Sequence, residues 1–368
     1  MIKYTIGLDV SSKDMKACFG SFNIQQKFKV HSTRTFTNNN SGLKEFLKWV
    51  NKYQKIKEIP LRICMEATGV YHELYAFGLQ QKSYSVSVVL ANKAKKYFQY
   101  LGIKSKNDKI DAKGLAQMAA EQDLKLWTPG ASYYYHLRKL TRQHQSLQES
   151  KTVIKGKIHA EKASVHQQRL ILKQYKQQEK LLNKQLEIIE LRIQDHIESN
   201  PEVSEKINKI TKIKGLGILS VSVIVAETFG FELFENVKQL LSYSGYDVVE
   251  NQSGKRAGRT KISKKGNSRI RRILHLPAFS IVRYQEAHFK LFFNRVLSKH
   301  NIKMKAYTAV QKKILVTIFA LWKKNEEYNN NYQQSKTNEM KRIKQSPDII
   351  IETSPGKHIE TNSEVTSY

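Results

Sequence analysis

Lys104-Ser-Lys-Asn-Asp-Lys-Ile-Asp-Ala-Lys-Gly-Leu115 is the stretch around which the rest of the chain is read. Asp108 and Asp111 lie three residues apart, so a helix beginning near Asn107 sets both carboxylates on one face. Two carboxylates that close repel each other unless a cation lies between them. Hard divalent ions such as Mg²⁺ take oxygen ligands of this kind. Lys104, Lys106, Lys109 and Lys113 surround the pair, which suits a polyanion lying across it. Taken alone, the pattern also fits a solvated helix start, with Asn107 as the cap and acids in the first turn.

Upstream, Tyr4–Val10 is a β-type run with Asp9 near its end, Ser11–Asp14 is a turn signal, and Met15–Phe19 returns as a hairpin strand. Gln26–Phe36 alternates as a third strand, and Ser41–Tyr53 carries Leu43, Phe46, Leu47 and Val50 at helical spacing. Leu61–Glu66 reads as a buried strand ending at an acid, Tyr71–Gln80 as a helix and Tyr84–Leu90 as another strand; the Lys104 stretch then continues as helix to Ala120. Strands alternating with helices indicate an α/β domain with a mixed sheet, residues 1–130. Asp9 and Glu66 each close a strand, where open α/β sheets place their sites. Singly, Asp9 is an ordinary turn acid and Glu66 a cap near Thr68. Together with Asp108 and Asp111 they form a four-carboxylate set able to hold two Mg²⁺ ions, the apparatus of phosphodiester cleavage or strand transfer.

The composition agrees with such a substrate. The formal charge is +31, with 63 Lys and Arg against 32 acids in 368 residues, a field that attracts nucleic acid or an anionic membrane. The longest apolar runs, Val86–Ala91 and Ile218–Ala226, are too short to span a bilayer. The N-terminus carries no secretory signal pattern. Cys18 and Cys64 supply no zinc motif, and a reducing, cytoplasmic setting is the simplest reading.

Residues 131–200 form a second segment, without proline from Tyr133 to Ser199, in which Leu182, Leu186, Ile189, Ile193 and Ile197 make a short coiled-coil seam. This suits a helix hairpin or a dimerisation arm, with its bend at Gly156 or within Ala160–Gln168. Asn200-Pro201 closes it. In residues 201–325, Gly215 and Gly217 between helical patterns suggest a helix-hairpin-helix turn holding a DNA phosphate on backbone N–H groups, or a plain tight connection. Phe234–Ser244 is a helix. Lys255, Arg256, Arg259, Lys261, Lys264, Lys265, Arg269, Arg271 and Arg272 then accumulate without an intervening acid, in a loop with Gly254, Gly258 and Gly266. Contact with a phosphate backbone is the natural use of that density. Arg269–Arg283, Ala287–Ser298 and Ala306–Lys323 follow as helices. Residues 326–368 are polar apart from Ile349-Ile-Ile and read as a disordered tail.

These segments, in this order, resemble the DEDD transposases, insertion-sequence recombinases related to the Piv invertases. The likeness is carried by Gly7-Leu-Asp9, Cys64-Met-Glu66-Ala-Thr-Gly-Val-Tyr71, Lys106-Asn-Asp108-Lys-Ile-Asp111-Ala112, Ile213-Lys-Gly-Leu-Gly217, Tyr243-Ser-Gly-Tyr246, Gln252-Ser253-Gly254 and Ile262–Arg272. It covers residues 4 to 325. The resemblance implies a RuvC-like (RNase H-type) first domain, a coiled-coil region and a mainly α-helical transposase domain. It also implies that Asp9, Glu66, Asp108 and Asp111 bind Mg²⁺, and that Ser253 attacks DNA to form a transient phosphoserine link. By its own residues Ser253 is a turn serine, with Ser263 and Ser268 as equal rivals. The resemblance further implies action on element ends and target DNA with an element-encoded guide RNA. With no base or metal beside it, Ser253 would have to borrow the Mg²⁺ cluster from elsewhere, which fits the coiled-coil seam as the contact of a homo-oligomer, dimer or tetramer. Gly245-Tyr246-Asp247 departs from the family's usual Gly-Leu-Thr-Pro type of turn, and the tail has no counterpart. A junction-resolving nuclease without serine chemistry and a non-catalytic nucleic-acid scaffold are the alternative readings.

Overall fold

The structure, a computed structural model, describes residues 2–103, 105, 107–250, 252–253, 256–258, 260–284 and 286–329, with backbone alone for Gln252, Ser253, Arg256 and Ala257. The chain forms two compact units, Met1–Gly130 and Ala131–Tyr368.

The first unit contains β1 (Lys3–Val10), β2 (Asp14–Phe22), β3 (Phe28–Thr37), α1 (Asn40–Tyr53), β4 (Leu61–Glu66), α2 (Glu73–Gln80), β5 (Ser85–Val89), α3 (Ala91–Tyr100) and α4 (Asp108–Glu121). Its sheet runs β3-β2-β1-β4-β5. The pairings among β1, β2 and β3 are antiparallel, whereas β4 is parallel to both β1 and β5. Side chains alternate across a sheet. Tyr4, Ile6, Leu8 and Val10 of β1 therefore share one face, where they meet Phe19, Phe36, Phe46 and Trp49 in the first core. Thr5, Gly7 and Asp9 share the other, where α4 lies. Cys18 and Cys64 flank Gly7 in register, and they pack respectively on Ala112 and Ala116 and on Leu115, Met118 and Ala119 of α4. The expected α/β mixed-sheet domain is present. Helix α3 lies between the last strand and α4, where the sequence reading placed no element. Its apolar pattern reduces to Ala94, Tyr97 and Phe98 among polar neighbours, too sparse to stand out.

The second unit contains α5 (Ser132–Ala163), α6 (Arg169–Glu198), α7 (Pro201–Thr211), α8 (Ile218–Thr228), α9 (Val237–Ser244), β6 (Val248–Val249), β7 (Gln252–Ser253), β8 (Arg256–Ala257), β9 (Lys261–Ile262), α10 (Ser268–Ile273), α11 (His275–Arg283), α12 (Ala287–His300) and α13 (Lys303–Lys324). Helices α5 and α6 form a hairpin that turns at residues 164–168. Gly156 is not the bend: it lies inside α5 with open space around it. The predicted seam is spent within the chain. Leu186, Ile193 and Ile197 of α6 are buried, as are Leu137, Leu147, Ile154 and Ile158 of α5, and the His144 ring nitrogen Nε2 lies 3.0 Å from Glu190 Oε1 between the two helices.

Helix α8 is buried on nearly all sides and centres a core with α7, α10, α11 and α13. The helix expected over Arg269–Arg283 is divided at Leu274. Pro277 has no N–H to donate to the Ile273 carbonyl, and its ring crowds that position, so the first helix stops there. The basic stretch is not a plain loop. Val248 and Val249 pair antiparallel with Ile262 and Lys261, and Gln252 and Ser253 with Ala257 and Arg256, giving a short two-part arm. Residues 326–329 are described and carry no regular element; the rest of the tail, with Ile349-Ile-Ile, lies outside the described residues. Among the described residues no helix is long and apolar enough to cross a membrane.

Candidate active site

The register of the sheet places the first two acids. β1 and β4 pair in parallel from Tyr4↔Leu61 to Leu8↔Met65, so Asp9 and Glu66 are the next residues on adjacent strands, at one edge. By alternation both lie on the face that α4 covers. Helix α4 starts there because Asn107 Oδ1 accepts from the Ile110 N–H at 2.9 Å, and Asp108 and Asp111 occupy the first turn, where the helix dipole favours anions. The helix seats closely on the strand because residue 7 is glycine. A β-carbon there would lie 2.1 Å from the Ala112 carbonyl oxygen and 2.2 Å from the Ala116 nitrogen.

The result is a cleft of about 820 Å³ lined by Asp9, Glu66, Asp108 and Asp111 together. Asp108 is exposed and the other three are half-buried. Among the described residues no three His, Cys, Asp or Glu side chains stand close enough to hold a metal ion as they are placed. The donor set itself is all carboxylate, which suits a hard divalent ion. Two cations also border the cleft. Lys16 is the cross-strand partner of Asp9 and donates from Nζ to Thr35 Oγ1 at 2.7 Å, and Lys95 reaches it from α3. Of the lysines around the Asp108 stretch, Lys109 and Lys113 are exposed, while Lys104 and Lys106 lie outside the described residues. Cys64 sits beside Glu66 on the same face, but burial, with Glu66 adding to it against the pull of Lys93, pushes its thiol up to about 12. Burial thus keeps the thiol protonated at neutral pH.

In the second unit Ser253 belongs to β7, paired with Arg256 of β8. Gly254, Lys255 and Arg259 lie outside the described residues. Lys261, Lys264 and Lys265 are exposed, as Ser268 is, and Ser263 is half-buried. The three arginines nearest the core have partners within the unit. Arg271 Nη1 donates to the Ser244 carbonyl at 2.8 Å, Arg272 pairs with Glu149 of α5, and Arg269 Nε lies 4.0 Å from Glu227 Oε1. Gly215 has φ +94°, and a β-carbon on it would come within 2.9 Å of the Ile281 nitrogen, so it serves the seating of α11. Gly217 opens α8 in unobstructed space.

Residues 6–161 match the IS110-type DEDD family, described as "Transposase", and residues 207–294 match the "Transposase IS116/IS110/IS902 family". The chain belongs to the IS110 transposases. It is 25% identical over 336 residues to the pilin gene-inverting protein of Moraxella bovis, covering 91% of this chain and all of that protein. The counterpart from Moraxella lacunata matches to the same extent. Among solved structures it is similar to Thermus thermophilus RuvC in complex with a Holliday junction substrate, at 10% identity, 34% of this chain, 99% of that one and a TM-score of 0.26. The fowlpox virus Holliday junction resolvase matches at 11%, 30%, 93% and 0.22.

The sequence reading of this transposase missed Glu227. It is fully buried in α8 and accepts from Arg142 through Oε1 and Oε2 at 2.7 and 2.9 Å, and from Asn267 Nδ2 at 2.8 Å. Burial raises the carboxyl, but Arg142, Asn267 and Arg269 outweigh it and hold Glu227 below the usual carboxylate range. Asn267 in turn caps α10 and bonds to the Tyr243 hydroxyl. The signal was a lone acid inside the apolar run 218–231, since a buried charge requires partners.

Proposed function

We propose that this transposase cuts and rejoins DNA with the carboxylate cleft of its first unit and the hydroxyl of Ser253. The observation that carries this reading is the gathering of Asp9, Glu66, Asp108 and Asp111 along one cleft. In the reading, the first unit works as a RuvC-like nuclease domain and the four carboxylates hold Mg²⁺, which when bound supplies charge stabilisation at a phosphodiester and lowers the pKa of an attacking hydroxyl. Ser253 Oγ forms a bond to phosphorus while the bond to the departing sugar oxygen breaks. The serine proton is released and the departing oxygen takes one up. Re-attack by a sugar hydroxyl on the phosphoserine reverses the step on a new partner. A hydroxyl needs activation to act in this way. Lys16 and Lys95 offset the negative field of the cleft so that a phosphate can approach it. The net charge of +31 is enough to serve both DNA and an element-encoded guide RNA, with base pairing choosing the sequence and the protein reading backbone and shape. The active assembly in this reading is a homo-oligomer.

The test is covalent trapping. The protein is incubated with Mg²⁺, flanking RNA and end-labelled element DNA, then denatured. Label retained on wild-type protein and lost in Ser253→Ala supports serine-linked exchange. Cleaved DNA without covalent protein, where a positive control traps, replaces it with a water-using, resolvase-type nuclease.

A further inference from the structure

We propose that the outer face of α3 is a binding surface for an unpaired nucleic-acid strand entering the carboxylate cleft. The inference rests on the reading of that cleft as the cutting site, and its test separates the two. One face of α3 is fixed: Ala94 and Tyr97 are buried, and the Tyr97 hydroxyl donates to Glu121 of α4 at 2.6 Å. The opposite face carries Lys93, Lys95, Lys96, Gln99 and Tyr100, all exposed. Lys95 and Gln99, one turn apart, line the same cleft as the four acids. Lys96 and Tyr100 form the next row on the helix.

Two features of this face, taken together at the cleft, bear on its use. Among the described residues, Lys93, Lys95 and Lys96 have no acidic partner within 4.0 Å, so their charge is uncompensated beside a site that holds negative charge. Tyr100 is 79% exposed, yet its ring lies 6.2 Å from that of the anchored Tyr97, at 34°. Cations that follow a backbone, next to an exposed aromatic ring, are the means by which single strands are held: the ring stacks on a base face. A duplex keeps its base faces stacked on one another and offers the ring no partner. The surface therefore selects a strand already opened, and Lys95 directs its phosphate toward the acids.

The experiment uses the full chain, a labelled single-stranded DNA oligonucleotide and the same sequence as duplex, titrated over a range of salt. Tyr100→Ala is expected to weaken single-strand binding about tenfold and to leave duplex binding essentially as it was, while Tyr100→Phe keeps the wild-type preference. Lys95→Ala with Lys96→Ala lowers the single-strand salt slope by about 1.4. Unchanged single-strand binding by Tyr100→Ala, or equal loss on both forms, overturns the proposal. Asp108→Ala is assayed in parallel for cleavage: if it still cuts, the cutting-site reading fails, whatever the binding results for α3.

Discussion

Gly7 of β1 and Ala112 of α4 are in backbone contact, with no room for a β-carbon between them. Asp9 lies two residues beyond Gly7 on the same face, and Asp111 precedes Ala112. The depth at which α4 seats on β1 therefore sets the spacing of acids that are about a hundred residues apart in sequence. Gly7→Val forces the helix away from the strand. It should cost about 1–3 kcal/mol, as overpacking of a core does, and reduce strand cleavage more than stability loss alone accounts for. Thermal unfolding and a cleavage assay on the same preparation check both parts.

If the cleft holds divalent ions through its carboxylates, Asp9→Asn and Asp108→Asn should abolish cleavage while leaving nucleic-acid binding in place. A chelator should do the same to the wild type, and added Mg²⁺ should restore it. Cleavage that persists in both variants would remove the cleft from the chemistry.

Arg142 and Glu227 form a bidentate pair with Glu227 fully buried and Arg142 partly open to solvent. Removing one partner of a wholly buried pair costs about 3–5 kcal/mol, and the exposure of Arg142 places Glu227→Gln nearer about 2 kcal/mol. The pH dependence has a fixed sign. The folded carboxyl is held below its ordinary value, so the unfolded chain takes up the proton first. The contribution is complete above about 4.3, the unfolded value, and is lost as pH falls through the lowered folded value. Urea midpoints of wild type and Glu227→Gln should therefore differ by a constant amount at neutral pH and converge in acid.

The basic stretch divides into contacts with solvent and contacts with the core. Lys261, Lys264 and Lys265 are exposed, and replacing all three with Ala should lower the salt slope of duplex DNA binding by up to about 2.7 without moving the unfolding midpoint. Arg271→Ala, which loses the bond to the Ser244 carbonyl, should lower stability by about 1 kcal/mol. Binding titrations over salt and urea unfolding separate the two groups.

Cys18 and Cys64 lie on the two strands that flank β1, roughly 9–10 Å apart at the usual strand spacing and too far for a disulfide. Both are buried, and burial pushes the thiols up to about 11 and about 12. Neither should react with a thiol reagent at neutral pH until the protein is unfolded, when both titrate.

The order of the strands and of the helices other than α3 in the first unit, and the four acids at strand ends and a helix start, were legible in the sequence because each depends on local features: period-two runs, an Asn cap, acids closing apolar segments. Family membership was legible for the same reason, through short motifs kept in order. Local pattern could not reveal α3, whose apolar face has too few residues to rise above its lysines, nor the Pro277 break in a run that otherwise reads as one helix. The seam of α6 was visible, but its partner was not: an apolar stripe is equally satisfied by α5 of the same chain or by a second chain. Glu227 shows the same limit, since its partners, Arg142 and Asn267, stand 85 and 40 residues away. The sequence by itself determined which residues carry charge, which segments can fold locally and which chemistry the acids could perform. Only the tertiary structure decided which acids share a cleft and which basic side chains are drawn onto the core, as Arg271 is by the Ser244 carbonyl, because both depend on how closely distant backbones approach, and that is set by packing.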